Sequence, residues 1–205
     1  IATGASAKYL GLPSETIYNN KGVSACAVCD GYFYRGKEVA VVGAGDSAAE
    51  ESTYLSKLCT KVHLLVRRDE MRASKIMQDR VFSTPNIVVH WNTETEEILG
   101  DDSGVTGIRV VNNKTAEKSH IAVQGFFLAI GHKPNTDIFK GILDMDETGY
   151  IKVLPGSTKT NVPGVFAVGD AADKVYRQAV TAAGTGCMGA PDAEKFFVAK
   201  ELEVG

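Results

Sequence analysis

The chain has 205 residues, 44% hydrophobic and 23% charged, with a formal net charge of −3, which is ordinary globular composition and length enough for one or two domains. So small a net charge offers no electrostatic case for nucleic acid or an anionic membrane, and no apolar stretch approaches the roughly 20 residues of a membrane span. Four cysteines are too few for a disulfide scaffold at this length; two form Cys26-x-x-Cys29 while Cys59 and Cys187 stand alone, usage that suits a reducing cytoplasm with one specialised thiol pair.

The sequence opens on Ile1-Ala2-Thr3-Gly4, which reads as the middle of a strand and its turn, and so as a piece of a longer chain. No basic region followed by an apolar stretch marks a secretory signal. Glu38 to Val42 is a short β-branched run ending in Gly43-Ala44-Gly45: a buried strand entering a tight turn. Asp46 or Ser47 is placed to cap the helix that follows, whose small and apolar face carries Ala48, Ser52, Leu55 and Cys59. Val62 to Val66 is the next strand. Strand, helix and strand within about thirty residues make a βαβ unit with parallel strands and a right-handed crossover. A second helix is expected over Ala73 to Phe82, broken by Ser83-Thr84-Pro85-Asn86, and a third strand over Ile87 to Trp91.

The pattern then changes. Glu97 to Leu99, Val105 to Val111 and Ser119 to Val123 are short strands between turn signals, an antiparallel meander. Phe126 to Ile130 reads as a final buried strand closed by Gly131 and Pro134, near which a domain boundary falls. Beyond it, two short strands are expected, Tyr150 to Val153 and Val165 to Val168, then a small-residue helix over Arg177 to Lys200 in which Pro191 removes a backbone donor. Cys59 and Cys187 read as structural, the latter packed among small residues. No solenoid repeat or low-complexity segment is present.

Gly43-x-Gly45-x-x-Ala48 lies at a strand-to-helix junction. Its first Gly permits the tight turn, its second lets backbone approach a pyrophosphate, and the small third residue lets helix and strand pack closely. The helix N-terminus then offers unpaired N–H groups to phosphates. The strand after it ends Val66-Arg67-Arg68, with Arg72 one turn later and no acid at the tip. Guanidinium groups give bidentate bonds to phosphate, which suits the 2′-phosphate of NADPH; the competing reading is a solvated basic loop neutralised by Asp69 and Glu70.

Cys26-Ala27-Val28-Cys29-Asp30-Gly31 can close a small disulfide loop and exchange with another dithiol. A helix beginning at Ser24 or its neighbours would raise the thiolate fraction of a nearby thiol, and Asp30 is placed to move a proton during exchange. Structural zinc would need two more ligands, whereas His63, His90, His120 and His132 are scattered. A thioredoxin-like domain would put the pair after its own first strand.

In this order the motifs resemble the low-molecular-weight thioredoxin reductases: Ile1 to Ala5 with Gly11-Leu12-Pro13, Cys26 to Gly31, Gly43 to Glu50, Val66-Arg67-Arg68 with Arg72 to Lys75, Ala129 to Thr136, and Gly169-Asp170-Ala171 with Tyr176 to Ala179. The resemblance implies an α/β fold: a Rossmann-like NADPH domain (10–130), with a parallel sheet and an antiparallel meander, inserted in an FAD domain represented by 1–9 and 131–205. It implies that NADPH reduces FAD, FAD reduces the disulfide, and the dithiol reduces thioredoxin. Cys29 would face the flavin, Cys26 attack thioredoxin and Asp30 act as acid and base. Gly43, Gly45, Asp46, Ser47, Arg67, Arg68, Arg72 and Gly131 would serve cofactor binding. Gly169 and Asp170 would hold the ribityl–phosphate region, with Arg177, Gln178 and Ala179 against the isoalloxazine. A cytoplasmic homodimer is the implied setting.

One departure stands out: the Gly-rich FAD fingerprint would precede Ile1. The expectation is therefore a self-contained NADPH domain, a C-terminal segment short of sheet neighbours, and a chain that by itself holds FAD poorly and has little or no activity. Two neighbouring families compete. Peroxiredoxin-reducing flavoproteins mostly use NADH, against Arg67 and Arg68; ferredoxin–NADP reductases lack the dithiol. A non-catalytic NADP(H)-binding fragment is the alternative outside enzymes.

Overall fold

A computed structural model of the chain describes residues 1–204, with side chains described through Lys200. In chain order the elements are β1 (Ala5–Ala7), α1 (Pro13–Ile17), β2 (Val23–Ser24), α2 (Ala27–Asp30), β3 (Glu38–Val42), α3 (Asp46–Ser56), β4 (Lys61–Val66), α4 (Lys75–Ser83), β5 (Ile87–Trp91), β6 (Thr93–Asp101), β7 (Gly104–Asn112), β8 (Lys118–Ile121), β9 (Gly125–Leu128), β10 (His132–Pro134) and α5 (Ala179–Val204). They gather into two units, Ala7–Gly131 and a second made of Ile1–Ser6 with the residues from His132 onward.

The sheet of the Ala7–Gly131 unit runs β2-β9-β3-β4-β5, and every neighbouring pair is parallel. Parallel strands covered on both faces read as continuous apolar runs rather than alternations, and Val39, Ala40 and Val41 have no exposed surface at all. On one face Val39, Val41, Val62, Leu64 and Phe127 pack against Ala48, Ala49 and Leu55 of α3 and Met77 and Val81 of α4. On the other, Ala40, Leu65, Phe126 and Leu128 meet Ile98, Ile108 and Val110 of the antiparallel sheet β6-β7-β8. The α/β class, the βαβ unit and the meander are as the sequence implies.

Several details differ. Strand β9 ends at Leu128, although the Ala129 N–H still donates to Val42 at 2.9 Å before the chain turns. Helix α4 starts at Lys75, with Ser74 as its N-cap. Helix α3 ends at Ser56, so Cys59 lies on the turn beyond it. Cys59 is buried there, and burial pushes its thiol up to about 11, which keeps it protonated and inert. Neither Asp46 nor Ser47 caps α3: Gly45 is the N-cap and Asp46 is already helical. Ser24 does not begin a helix, because it is paired in register with Phe127 and is held extended.

In the second unit β1 pairs with β10, and Leu143, Ile151, Ala167 and Ala171 form a small core. The two strands expected here are not formed. Ile151 and Phe166 make single bridges, to Met145 and Lys159; Ile151 N–H otherwise donates to Ala171 and Val168 N–H to Ile1. Their remaining partners include the Gly169–Ala171 turn and Ile1, and among the described residues no ladder continues. Helix α5 runs through Pro191. Asp192 fastens it by accepting from Ser157 Oγ and from the N–H and Oγ of Thr158. A Cβ on Gly189 would stand 2.9 Å from Val168, so the small residue there serves close packing. Cys187 is exposed; its small neighbours do not cover it.

The scattered histidines hide one cluster. His63 Nδ1 lies 2.9 Å from His90 Nε2, and its Nε2 lies 3.1 Å from Glu38 Oε2, a row across β4, β5 and β3. Burial, and then the charge of His63, hold His90 below its usual value of 6.5. The unfolded chain therefore binds that proton more readily, so the stability from neutral His90 is complete above about pH 6.5 and is lost as pH falls. The melting temperature is expected to drop between pH 7.5 and 5.5, and His90→Gln to flatten that slope; an unchanged slope in the variant would contradict the assignment.

Candidate functional site

Because the five strands are parallel, five connections leave one edge of the sheet. The edge carries Cys26 to Asp30 after β2, Gly43 to Gly45 after β3, Arg67 to Arg72 after β4, Asn92 to Thr95 after β5, and Ala129 to Gly131 after β9. Ligands of open α/β sheets bind at this carboxyl edge.

The two turn glycines differ in what requires them. Gly43 has φ +152°, and a Cβ there would stand 2.5 Å from the Ala129 carbonyl oxygen and 2.7 Å from the Ala48 Cβ. The first glycine and the third, small position thus form one packing contact. A Cβ on Gly45 would meet nothing within 4 Å, and its φ of −93° suits any residue. Protein packing does not require glycine at 45; the bare backbone leaves room for a close approach from outside.

Beside this turn a cleft of about 390 Å³ is lined by Gly43, Ala44, Arg67, Arg68, Glu70, Arg72 and Thr93 to Thr95, among others. That size falls in the range of small-molecule sites. Backbone bonds from Arg72 and Ala73 to the Ala44 carbonyl, at 2.7 and 3.0 Å, tie the arginine segment to the glycine turn. Among the described residues none of the three guanidinium groups takes part in an ion pair, so Asp69 and Glu70 do not neutralise them by contact. Three exposed cations outside any ion pair, in a cleft that Glu70 and Glu94 also line, suit an anion. Asp46 is engaged elsewhere: its Oδ1 accepts from Ser74 N–H and Oγ at 2.8 and 2.9 Å. Ser47 is exposed on the first turn of α3, and Gly131, at φ +97°, has open space where a Cβ would stand.

Sequence reasoning missed the buttress of this loop. Asn113 Nδ2 donates to the Arg67 carbonyl at 2.8 Å and to Glu94 Oε1 at 2.9 Å, and the Asn92 N–H donates to the Arg68 carbonyl at 3.0 Å. No local signal announces partners 46 residues apart. Thr95 was missed too; its buried Oγ1 lacks a hydrogen-bond partner in the structure.

Cys26 and Cys29 form a disulfide, with Cα atoms 5.3 Å apart. Cys26 is the N-cap of α2, and its sulfur accepts the Cys29 N–H at 3.2 Å. A backbone donor aimed at sulfur favours thiolate when the pair opens. Cys29 is exposed and Cys26 half-buried. Asp30 accepts from Ser24 Oγ at 2.6 Å. Around the pair Val28, Tyr32 and Phe33 are 62%, 65% and 72% exposed, an apolar surface bordering the reactive group.

In the second unit Gly169 takes φ +63°, and a buried oxygen of Asp170, Oδ1, has no hydrogen-bond partner. Arg177 has φ +49° and a buried, unpartnered Nε, while its Nη1 donates to the Lys174 carbonyl. Gln178 precedes α5 and Ala179 opens it. Asp173, which sequence reasoning missed, organises this loop by accepting from the N–H groups of Val175, Tyr176 and Arg177. Burial opposes its charge, but those bonds and one from Thr181 outweigh it and hold the carboxyl below the usual range.

The model of the pyridine nucleotide-disulphide oxidoreductase family matches residues 1–186. The chain is 59% identical over 199 residues to a thioredoxin reductase of Dictyostelium discoideum, covering 96% of this chain and 62% of that protein. It is 53% identical over 204 residues to one of Coxiella burnetii, covering 96% and 64%. Among solved structures, the thioredoxin reductase from Giardia duodenalis superposes with a TM-score of 0.91 at 45% identity, and that from Streptococcus pyogenes with 0.92 at 39%. Each covers 97% of this chain and 65% of the other. The chain thus spans less than two thirds of the length of these relatives.

Substitutions at the two turn glycines should differ in urea denaturation. Gly43→Ala should cost about 2 kcal/mol through overpacking and a strained φ, and Gly45→Ala about 1 kcal/mol or less. The reverse order would contradict the packing argument.

Proposed function

We propose, since this chain belongs to the pyridine nucleotide-disulphide oxidoreductase family and within it to the thioredoxin reductases, that it serves an NADPH-dependent disulfide reductase whose Cys26–Cys29 pair reduces thioredoxin in the cytoplasm. The observation that carries this reading is the placement of a disulfide and a cation-lined cleft on one edge of a parallel sheet.

The residues fit the two nucleotides this chemistry needs. Arg67, Arg68 and Arg72 would hold the 2′-phosphate of NADPH, and Gly45 and the start of α3 would receive its pyrophosphate. Gly131 and Ser47 border that nucleotide, whereas Asp46 acts from behind by holding Ser74. In the second unit the unpartnered Asp170 Oδ1 suits a hydroxyl donor, as a ribityl chain offers; a carboxylate there disfavours direct contact with phosphate. Arg177, Gln178 and Ala179 would lie against the isoalloxazine. When bound, FAD supplies the passage of two electrons from NADPH to the disulfide, which opens to the dithiol.

The onward step belongs to the chain's own residues. Cys26 gives its proton to the Asp30 carboxylate, and its sulfur bonds to one sulfur of the thioredoxin disulfide. The partner's S–S bond breaks and its other sulfur leaves with the electron pair. Asp30 returns its proton to the departing sulfur; Cys29 then gives its own proton to Asp30 and attacks Cys26, and the second partner sulfur leaves and takes that proton. This dithiol is oxidised, and the partner disulfide is reduced. Exposed Tyr32 and Phe33 supply apolar docking area beside the pair, and a homodimer is the form we assign to the whole enzyme.

Charge-assisted bonds are worth roughly 1.5–3 kcal/mol each, so Arg67→Ala with Arg68→Ala should lower the preference for NADPH over NADH by about tenfold or more. Fluorescence titration of both nucleotides on this chain checks it. A preference for NADH in the unmutated chain would overturn the cofactor assignment.

A further inference from the structure

Asp30 needs more than proximity to serve the dithiol; its carboxylate must be aimed. Helix α2 is four residues long, and one helical turn has little stability of its own. The disulfide clips that turn while it is closed. Once the pair is reduced the clip is gone, and another contact must keep Cys26, Cys29 and Asp30 in place.

Ser24 is that contact. It ends β2, paired in register with Phe127 of β9, and is 8% exposed. Its hydroxyl accepts the Cys26 N–H at 3.1 Å and lies 2.6 Å from Asp30 Oδ2. The Cys26 carbonyl is also within reach, at 3.4 Å. A hydroxyl has one hydrogen to give, and the shorter, charge-assisted bond to the carboxylate takes it. One atom therefore joins the rigid sheet, the backbone of the proposed attacking cysteine and the carboxylate one residue after its partner cysteine.

We infer that Ser24 is a positioning residue, whose hydroxyl aims the Asp30 carboxylate at the dithiol and preserves the Cys26–Asp30 turn in the reduced state. The inference rests on the reading of Asp30 as proton acceptor. Tyr34 feels the charge of Asp30; burial first, and the Asp30 charge second, raise its phenol above 10.0, so it stays neutral through a test up to pH 9.

The test uses this chain with Cys187→Ser, leaving the buried Cys59 in place. The chain is reduced, freed of reductant and mixed with a small aromatic disulfide. Closure of Cys26–Cys29 is followed by mass spectrometry from pH 6 to 9, with circular dichroism confirming folding of each variant. Ser24→Ala keeps the Cβ and removes only the hydroxyl. A positioned proton acceptor contributes roughly 10²–10⁴ in rate, so partial loss of aim should slow closure by about tenfold near pH 6. The deficit should vanish near pH 9, above the usual thiol pKa of about 8.5, where solvent removes the proton unaided; a purely structural defect would persist there. Asp30→Asn should show the same profile, and the double variant should be no slower than Asp30→Asn alone. If Ser24→Ala follows the unmutated profile while Asp30→Asn is slowed, or if the two effects multiply, the role of Ser24 is refuted and that of Asp30 stands. If Asp30→Asn itself changes nothing, the acid–base reading fails and the inference falls with it.

Discussion

The parallel pairing of β2, β9, β3, β4 and β5 is the constraint from which the site follows. With all five strands running the same way, their C-terminal connections share an edge, and the dithiol, the glycine turn and the arginine loop are each one such connection. The cost of so one-sided an arrangement is that both sheet faces must be covered. Helices α3 and α4 cover one and the β6-β7-β8 meander the other. The meander does more than cover: Asn92, just before β6, and Asn113, in the turn between β7 and β8, hold the carbonyls of Arg68 and Arg67. A layer required for burial also steadies the loop that carries the charges.

Those charges give the cleft its character. Among the described residues Arg67, Arg68 and Arg72 form no ion pair, although Glu70 and Glu94 line the same cleft. Glu94 is instead turned to the Asn113 amide. The candidate site in the second unit holds both signs, an unpartnered carboxylate oxygen at Asp170 and an unpartnered guanidinium nitrogen at Arg177. A buried oxygen left unsatisfied is costly, and in the proposed reading a hydroxyl donor would complete Asp170, whereas phosphate would replace water on the exposed guanidinium groups of Arg67, Arg68 and Arg72.

Much of the nucleotide-binding fold was legible in the sequence because its signals are local. The apolar runs at Glu38 to Val42 and Val62 to Val66 can be little but buried strands, and Gly43-x-Gly45-x-x-Ala48 encodes a contact between residues five apart. The features that escaped are tertiary. His63, His90 and Glu38 meet only once the sheet is formed, and Asp46 serves Ser74, 28 residues on, rather than its own helix. The strands expected at Tyr150 to Val153 and Val165 to Val168 have strand composition but only turns and single bridges beside them. Composition reports what a segment prefers, and pairing depends on what lies next to it. Cys187 was misjudged for a related reason: small neighbours permit close packing but do not ensure it.

The central claim is that Cys26–Cys29 is a disulfide that turns over and not a structural staple. Equilibrating this chain with glutathione and dithiothreitol buffers of graded potential, then trapping thiols for mass spectrometry, gives the midpoint directly. A pair that passes electrons to thioredoxin should lie near thioredoxin itself, at about −270 mV. A pair still closed well below about −300 mV, where structural disulfides lie, would contradict the account.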